Sequence, residues 1–523
     1  MGKGRLAFRG LGVLTIVVLT VLIGARWQLN AMKADRALTL SRLKPFVEVP
    51  PAPEPSGLPL LGAEGFTAEG EPTQYVDQAG LRSLLKHRRF AALDLAFEHF
   101  QAAFEKDPRF EQWPADAAAA FDSAEPSLGL LLDEWADNSK TFAPWLARGT
   151  HLGAVAGAQR GTTWAVDTSS GEFAEMRATL PVALHNLQRA LELRPKLVAA
   201  RSEEIWVRVL MGDAFGFQQT VRLADESCPT CFMHRAAVMR ALQPRWGGSY
   251  EAMRAYAKRA PVEQNAKLRL LTGFIQLDRS MVADTDGRLP DGLAQAEEAC
   301  AVGEYWGFLV KRGYARKRLG ALDEALADLD RALVLRPGAV DALVGRAHVY
   351  LAREDGEHAG RDLLAAMRVR PTDAMAERLY GPTVQTLIHD AWAFRNAGKR
   401  EDALRLLDLA SELAPLDGEV LGRRVIALTD GDAGIDDLRA QADAAPDDFR
   451  SHQVLDYALS KENRFEEIAQ MWTVFLARQP TEGRAFSERA GTFVHLGRQR
   501  EAIVDLEKAC ELGITEGCAR LKR

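Results

Sequence analysis

At 523 residues the chain is too long for a single hydrophobic core, so it must divide into domains or fold as a repeat array. Its net charge of −6 excludes a general nucleic-acid binder, which carries a basic excess. With 47% hydrophobic and 26% charged residues it is an ordinary folded protein and not a disordered one.

Lys3, Arg5 and Arg9 lie in a short basic tail, residues 1–9, ahead of an uncharged run at 10–25 rich in Leu, Val and Ile; Arg26 closes the run. The run is short for a span of about 20 apolar residues, but the flanking arginines can snorkel to the interfaces. The pattern is read as a single transmembrane helix that anchors the chain. A cleaved signal peptide and a buried core helix are the alternatives. Ile23 and the lack of a small-x-small cleavage pattern weigh against the first, and the purity of the run against the second. Anchor or signal, the body is expected across the bacterial inner membrane, in the periplasm. Arg26, Lys33, Arg36, Arg42 and Lys44 load the juxtamembrane segment 26–44 as well, so insertion is better specified than orientation.

Residues 45–75 form a Pro/Gly-rich linker. Pro45, Pro50, Pro51, Pro53, Pro55 and Pro59 are too close for a helix or a sheet ladder, which predicts a stiff, extended spacer or, more simply, a disordered tether with no specific role. From Val76 the pattern turns helical, and 76–261 is read as an N-terminal helical domain. Within it, 161–171 is the expected irregular loop, and the pair Gly247–Gly248 forces a turn that Ser249 follows as a helix cap. Residues 262–303 are expected as connecting helices.

The stretch from Trp306 to Pro371 repeats itself. Ala325, Leu329, Ala332 and Pro337 recur 34 residues later as Ala359, Leu363, Ala366 and Pro371. Small residues at such spacing let two helices approach closely, and the proline stops the second. This resembles the tetratricopeptide repeats, stacked helix–turn–helix units of that length. The same landmarks appear as Ala183, Leu187, Ala190 and Pro195, then as Ala403, Leu407, Ala410 and Pro415, and Pro446 and Pro480 continue the series. The expected fold is therefore all-α: a tetratricopeptide-type α-solenoid of stacked helical hairpins over 304–523, with degenerate repeats before it. Trp145–Gly149 (WLARG) and Pro244–Ser249 (PRWGGS) together resemble an uncharacterised bacterial domain that precedes such arrays, a likeness that implies architecture and no chemistry.

The tetratricopeptide resemblance implies that the first helix of each pair lines a concave groove. By phase this places Tyr314, Lys317, His348, Gln385, Trp392, Arg395, Arg450, Gln453 and Tyr457 on or near it, a mixed polar and aromatic surface suited to an extended peptide or a partner helix. The string from Lys508 to Leu521 resembles the cysteine-rich relatives of these repeats, which implies a Cys510–Cys518 disulfide; two reduced core thiols are the alternative. Cys228 and Cys231 straddle Pro229, a repeat-closing proline. A structural turn or local disulfide, a redox site and half a zinc site all remain open there, with His234 the nearby histidine. No βαβ pattern surrounds the pair. Cys300 is expected as a buried thiol.

No P-loop, G-x-S-x-G or H-E-x-x-H pattern occurs. Neither catalytic residues nor a metal or cofactor are expected. The sequence thus predicts a membrane-anchored scaffold or assembly factor of the bacterial envelope with protein partners. The alternatives are a thiol or metal enzyme at Cys228 and Cys231, and a ligand module, for a glycan for example, at Arg245 and Trp246, although a Trp packed under the Gly247–Gly248 turn with an exposed Arg beside it is the plainer account of that pair.

Overall fold

The computed structural model describes residues 57–67, 70–161, 169–371, 373–414, 420, 422–424, 435–514 and 517–518. The expected anchor and juxtamembrane segment lie outside these residues, as does most of the loop expected at 161–171. No described helix is long and apolar enough to cross a membrane.

The described chain opens with two short strands, β1 (Leu60–Leu61) and β2 (Tyr75–Val76), paired antiparallel with Leu60 opposite Val76. This corrects the expectation of an extended spacer up to residue 75. The ladder begins at the first residue after the last proline of the run, and Pro59 joins through its carbonyl, which accepts from the Asp77 amide at 2.8 Å.

Four helices follow: α1 (Gln78–Lys86), α2 (Phe90–Lys106), α3 (Gln112–Ala119) and α4 (Pro126–Asn138), with a 3₁₀ turn at Pro108–Glu111 before α3. Then come the long hairpin α5 (Ala143–Arg160) and α6 (Ser170–Leu193), and the pair α7 (Val198–Met211) and α8 (Ala214–Ser227). Two shorter helices, α9 (Met233–Ala241) and α10 (Tyr250–Lys258), lead into α11 (Gly273–Thr285) and α12 (Leu289–Val302). The clear repeats are α13 (Trp306–Arg318) with α14 (Leu322–Leu335), α15 (Val340–Ala352) with α16 (Gly356–Val369), and α17 (Ala374–Asn396) with α18 (Arg400–Leu413). After α19 (Ile435–Ala444) the array ends in α20 (Phe449–Lys461) with α21 (Phe465–Arg478), then α22 (Gly483–His495) with α23 (Gln499–Glu511).

Four second helices, α6, α8, α14 and α16, stop for the same reason. Arg194, Cys228, Arg336 and Arg370 each precede a proline, and each has left the helical region, with ψ of 92°, 87°, 89° and 92°. A proline ring clashes with a helical residue before it, so the chain turns there every time. Between first and second helices the turn needs one left-handed residue: Gly320 at φ 82° in one repeat, Glu354 at φ 60° in the next.

Close packing inside each hairpin rests on the small residues. Ala325, Ala332, Ala359, Ala366, Ala403 and Ala410 are fully buried. A Cβ at Gly313 would lie 3.0 Å from Leu329 Cγ and 3.3 Å from the Ala325 carbonyl, so α13 and α14 are in contact there. A second device was not foreseen from sequence. Arg312 and Asp328, Arg346 and Asp362, and Arg489 and Asp505, all sixteen residues apart, tie the first helix of a hairpin to its second with paired hydrogen bonds of 2.6–3.2 Å. Each of these aspartates is buried.

The helices α1–α4 brace the array along its repeat-closing turns. Gln101 donates to the Lys196 carbonyl at 3.1 Å, and Arg336 meets Asp116 at 2.6 Å. Arg82 reaches the carbonyls of Ala120 and Arg368. Buried Glu111 accepts from the amides of Phe232 and Met233 at 2.8 and 3.0 Å, which satisfies two orphan donors at the start of α9. One short N-terminal region thus holds turns more than a hundred residues apart.

Candidate binding surface

The residues expected in the groove fall into three local groups. In the first, the Tyr314 ring packs over Gly345, where a Cβ would lie 3.1 Å from it, so the first helices α13 and α15 touch directly. Its hydroxyl donates to the Asp341 carbonyl at 3.2 Å. Burial, with Asp341 and Asp373 adding, pushes the phenol up. Lys317 Nζ lies 2.7 Å from His348 Nε2. Burial lowers both groups; Arg318 adds to the effect on the lysine and Lys317 to that on the histidine. The imidazole is therefore neutral and accepts from the ammonium.

The second group centres on Trp392, an exposed side chain on α17. The guanidinium carbons of Arg395 and Arg423 lie 5.0 and 4.9 Å from its ring centroid. Arg423 was not among the expected residues, although it stands at the matching place in the following repeat. Gln385 is exposed on the same helix, two turns earlier.

The third group is on α20. The Tyr457 ring lies beneath Lys461, with Nζ 4.8 Å from the centroid. Gln453 departs from the expectation: it is buried, and its amide donates to Glu488 on α22 at 3.0 Å, so it joins two repeats and does not face a ligand. Arg450 pairs with Glu412 at 2.8 Å at the rim of an open cleft of about 480 Å³ lined by Glu357, Arg361, Leu404, Arg405 and Asp408. Within that cleft Glu357 pairs with both Arg361 and Arg405.

Arg245 and Trp246 are both engaged in contacts within the fold. Asp278 on α11 is 1% exposed at its side chain and needs a counter-charge; Arg245 supplies it at 2.6 Å, and the Tyr250 hydroxyl donates to the other oxygen at 3.0 Å. Trp246 packs edge-on against Trp206 of α7, centroids 4.8 Å apart. Ser249 caps α10 by accepting from the Ala252 amide at 3.1 Å.

Cys228 and Cys231 are joined across the turn between α8 and α9, with Cα atoms 5.4 Å apart. Both are buried beside Phe104 and Val198. His234 is committed to Asp225, Nε2 to Oδ1 at 2.9 Å, and Asp225 also accepts from the Tyr256 hydroxyl at 2.9 Å. Among the described residues no three His, Cys, Asp or Glu side chains converge to hold a metal ion. Cys510 and Cys518 are likewise joined, Cα atoms 4.8 Å apart. Cys300 is a free, half-buried thiol that burial pushes up to about 11.

No protein-family model matches the sequence, and no curated protein matches it. Among solved structures, the chain is similar to the TPR domain of P58(IPK), at 17% identity over 66% of this chain and 93% of that one, with a TM-score of 0.23. It is similar to Naa15/Naa10 bound to HypK at 14% identity, covering 83% of this chain and 64% of that one, with a TM-score of 0.31. YrrB, a TPR protein with an unusual peptide-binding site, matches at 18% identity over 39% of this chain and 85% of that one, with a TM-score of 0.16. At such scores the solenoid assignment rests on this chain's own hairpins: stacked helix pairs closed by prolines, with first helices in contact along one face.

Proposed function

We propose that this protein is a protein–protein interaction scaffold or assembly factor of the bacterial envelope, held at the inner membrane by residues 10–25 with its body in the periplasm. It binds a partner peptide or helix on the face made by its first helices. The observation that carries this reading is Trp392, exposed on α17 with the guanidinium carbons of Arg395 and Arg423 5.0 and 4.9 Å from its ring centroid. A large aromatic held rigid by two cations costs little entropy to present, and such anchors dominate binding energy at interfaces. The two disulfides fit an oxidising compartment, which supports the periplasmic placement.

The test has two parts. Protease added to spheroplasts should digest the body of the full chain; protection of the body would put it on the cytoplasmic side. The tagged full chain should retain a reproducible partner from envelope extract that Trp392→Ala loses. Equal retention by the variant would remove the first-helix face as the working surface.

A further inference from the structure

The helices α1–α4 meet the rest of the chain in two different ways. Towards α5–α9 the contact is apolar. Phe100, Phe121 and Trp135 share one core with Leu187, Leu197 and Val207, and Phe104 packs on Val198 beside the Cys228–Cys231 pair. Towards the later repeats the ties are polar. Glu71, on the loop between β1 and β2, meets Lys267 at 2.6 Å, and Asp116 meets Arg336 at 2.6 Å. Arg82 donates to the Arg368 carbonyl, and Asp122 lies within charge–charge range of Arg370. Among the described residues, the apolar cores built on α13–α18 hold no member of α1–α4. The Tyr75 ring only grazes the turn after α14, where a Cβ at Gly338 would lie 4.0 Å from its Cδ2.

The arginines in these ties are not required by the turns that carry them. Pro415, Pro446 and Pro480 follow Ala414, Ala445 and Gln479. Arg194, Arg336 and Arg370 also precede closing prolines, and each faces a carboxylate of the N-terminal region: Glu105 at 2.8 Å, Asp116, and Asp122. The charge at these turns therefore answers α1–α4. Water reaches the far ties, because the Arg336 side chain is 24% exposed, that of Arg370 is 42% exposed, and Asp122 is exposed.

The two kinds of contact differ in what it takes to break them. A shared apolar core comes apart only with the fold, whereas wet ion pairs open at small cost and weaken with salt. Polar contacts between parts of one chain permit relative motion. We propose that α1–α4 form a strap, hinged on the core of α5–α9 and latched by charge onto the closing turns after α14 and α16, and that the latch opens reversibly. Once it is open, the repeats between α10 and α16 keep only their nearest-neighbour interfaces, so their curvature is free to change. Latched, the strap spans those repeats and holds one curvature.

The test is a distance measurement by double electron–electron resonance on the full chain. Spin labels go on Asp137→Cys in α4 and Arg361→Cys in α16, both exposed positions, with Cys300→Ser removing the free thiol. In dilute buffer one short distance should dominate. At about 0.5 M sodium chloride, where screening is strong, a longer distance should appear and its share should rise roughly threefold or more. Asp116→Asn with Asp122→Asn should bring out the longer distance without added salt, while helicity and the melting temperature stay unchanged. Asp116→Arg alone should open the latch, and Arg336→Asp added to it should restore the short distance. Distance distributions that neither salt nor the substitutions change would make α1–α4 a fixed part of the frame and overturn the proposal. Opening that comes only with loss of helicity would overturn it too, because hinge and latch would then fail together.

Discussion

Replacing Arg346 by methionine removes a guanidinium that holds three helices together. Its Nε and Nη2 lie 2.8 and 2.7 Å from the Asp362 oxygens on α16, and its Nη1 lies 2.7 Å from Asp330 on α14. The Asp362 side chain is 8% exposed, so the substitution strands a carboxylate that has little access to water. Breaking a buried pair by removing one partner costs about 3–5 kcal/mol. Arg346 is itself 24% exposed, which admits some solvent to the site and puts the expected loss at about 2–3 kcal/mol. Burial already raises the Asp362 carboxyl above its ordinary range, and loss of the guanidinium raises it further. A carboxylate whose folded-state pKa is raised destabilises the fold when ionised, and stability returns as the pH falls through that pKa. The defect should thus be larger at pH 8 than at pH 5. Urea unfolding of the full chain, followed by circular dichroism at both pH values, measures it. Arg346→Met combined with Asp362→Leu should recover most of the loss, because no buried charge is then left unpaired. A single variant within about 0.5 kcal/mol of the parent at both pH values, the scatter of ordinary surface changes, would refute the reasoning.

Three further outcomes are expected. Gly248→Ala should cost about 2–3 kcal/mol in the same unfolding experiment, because its Cβ would lie 2.1 Å from the Leu242 carbonyl oxygen, a backbone atom that cannot swing aside. Asp456, held up at about 7 by burial and by Glu488, should make stability fall as the pH rises from about 4 through 7; in Asp456→Asn a melting-temperature series should be flatter over that range. Cys518→Ser should release Cys510, so that denatured, unreduced protein shows two reactive thiols where the parent shows Cys300 alone, and should weaken the last turn of the array by about 2–3 kcal/mol on loop-closure grounds.

Much of the fold could be read from the sequence because its determinants are local. The prolines at 195, 229, 337 and 371 act on the residue just before them, and the buried alanines recur at fixed spacing, so the hairpins and their phase were accessible. The turn around Cys228 and Cys231 was placed correctly for the same reason: Pro229 is one of the series. The brace was not legible. Glu111 capping α9 and Asp116 meeting Arg336 join residues that nothing in the local pattern relates. The partners of Arg245 and Gln453 were not legible because they lie across an interface, Asp278 in one case and Glu488 on α22 in the other. The Arg–Asp pairs sixteen residues apart and Arg423 sat in plain view in the repeat register. Charged side chains on a helix are normally read as a solvated face, which hid both.

The central claim is that the first-helix face is where this protein binds its partner. Its most direct test is titration calorimetry of the full chain and its Trp392→Ala variant with the partner recovered from envelope extract. The account predicts at least a tenfold loss of affinity, about 1.4 kcal/mol or more, with the melting temperature unchanged. Identical affinities for the two proteins would contradict it.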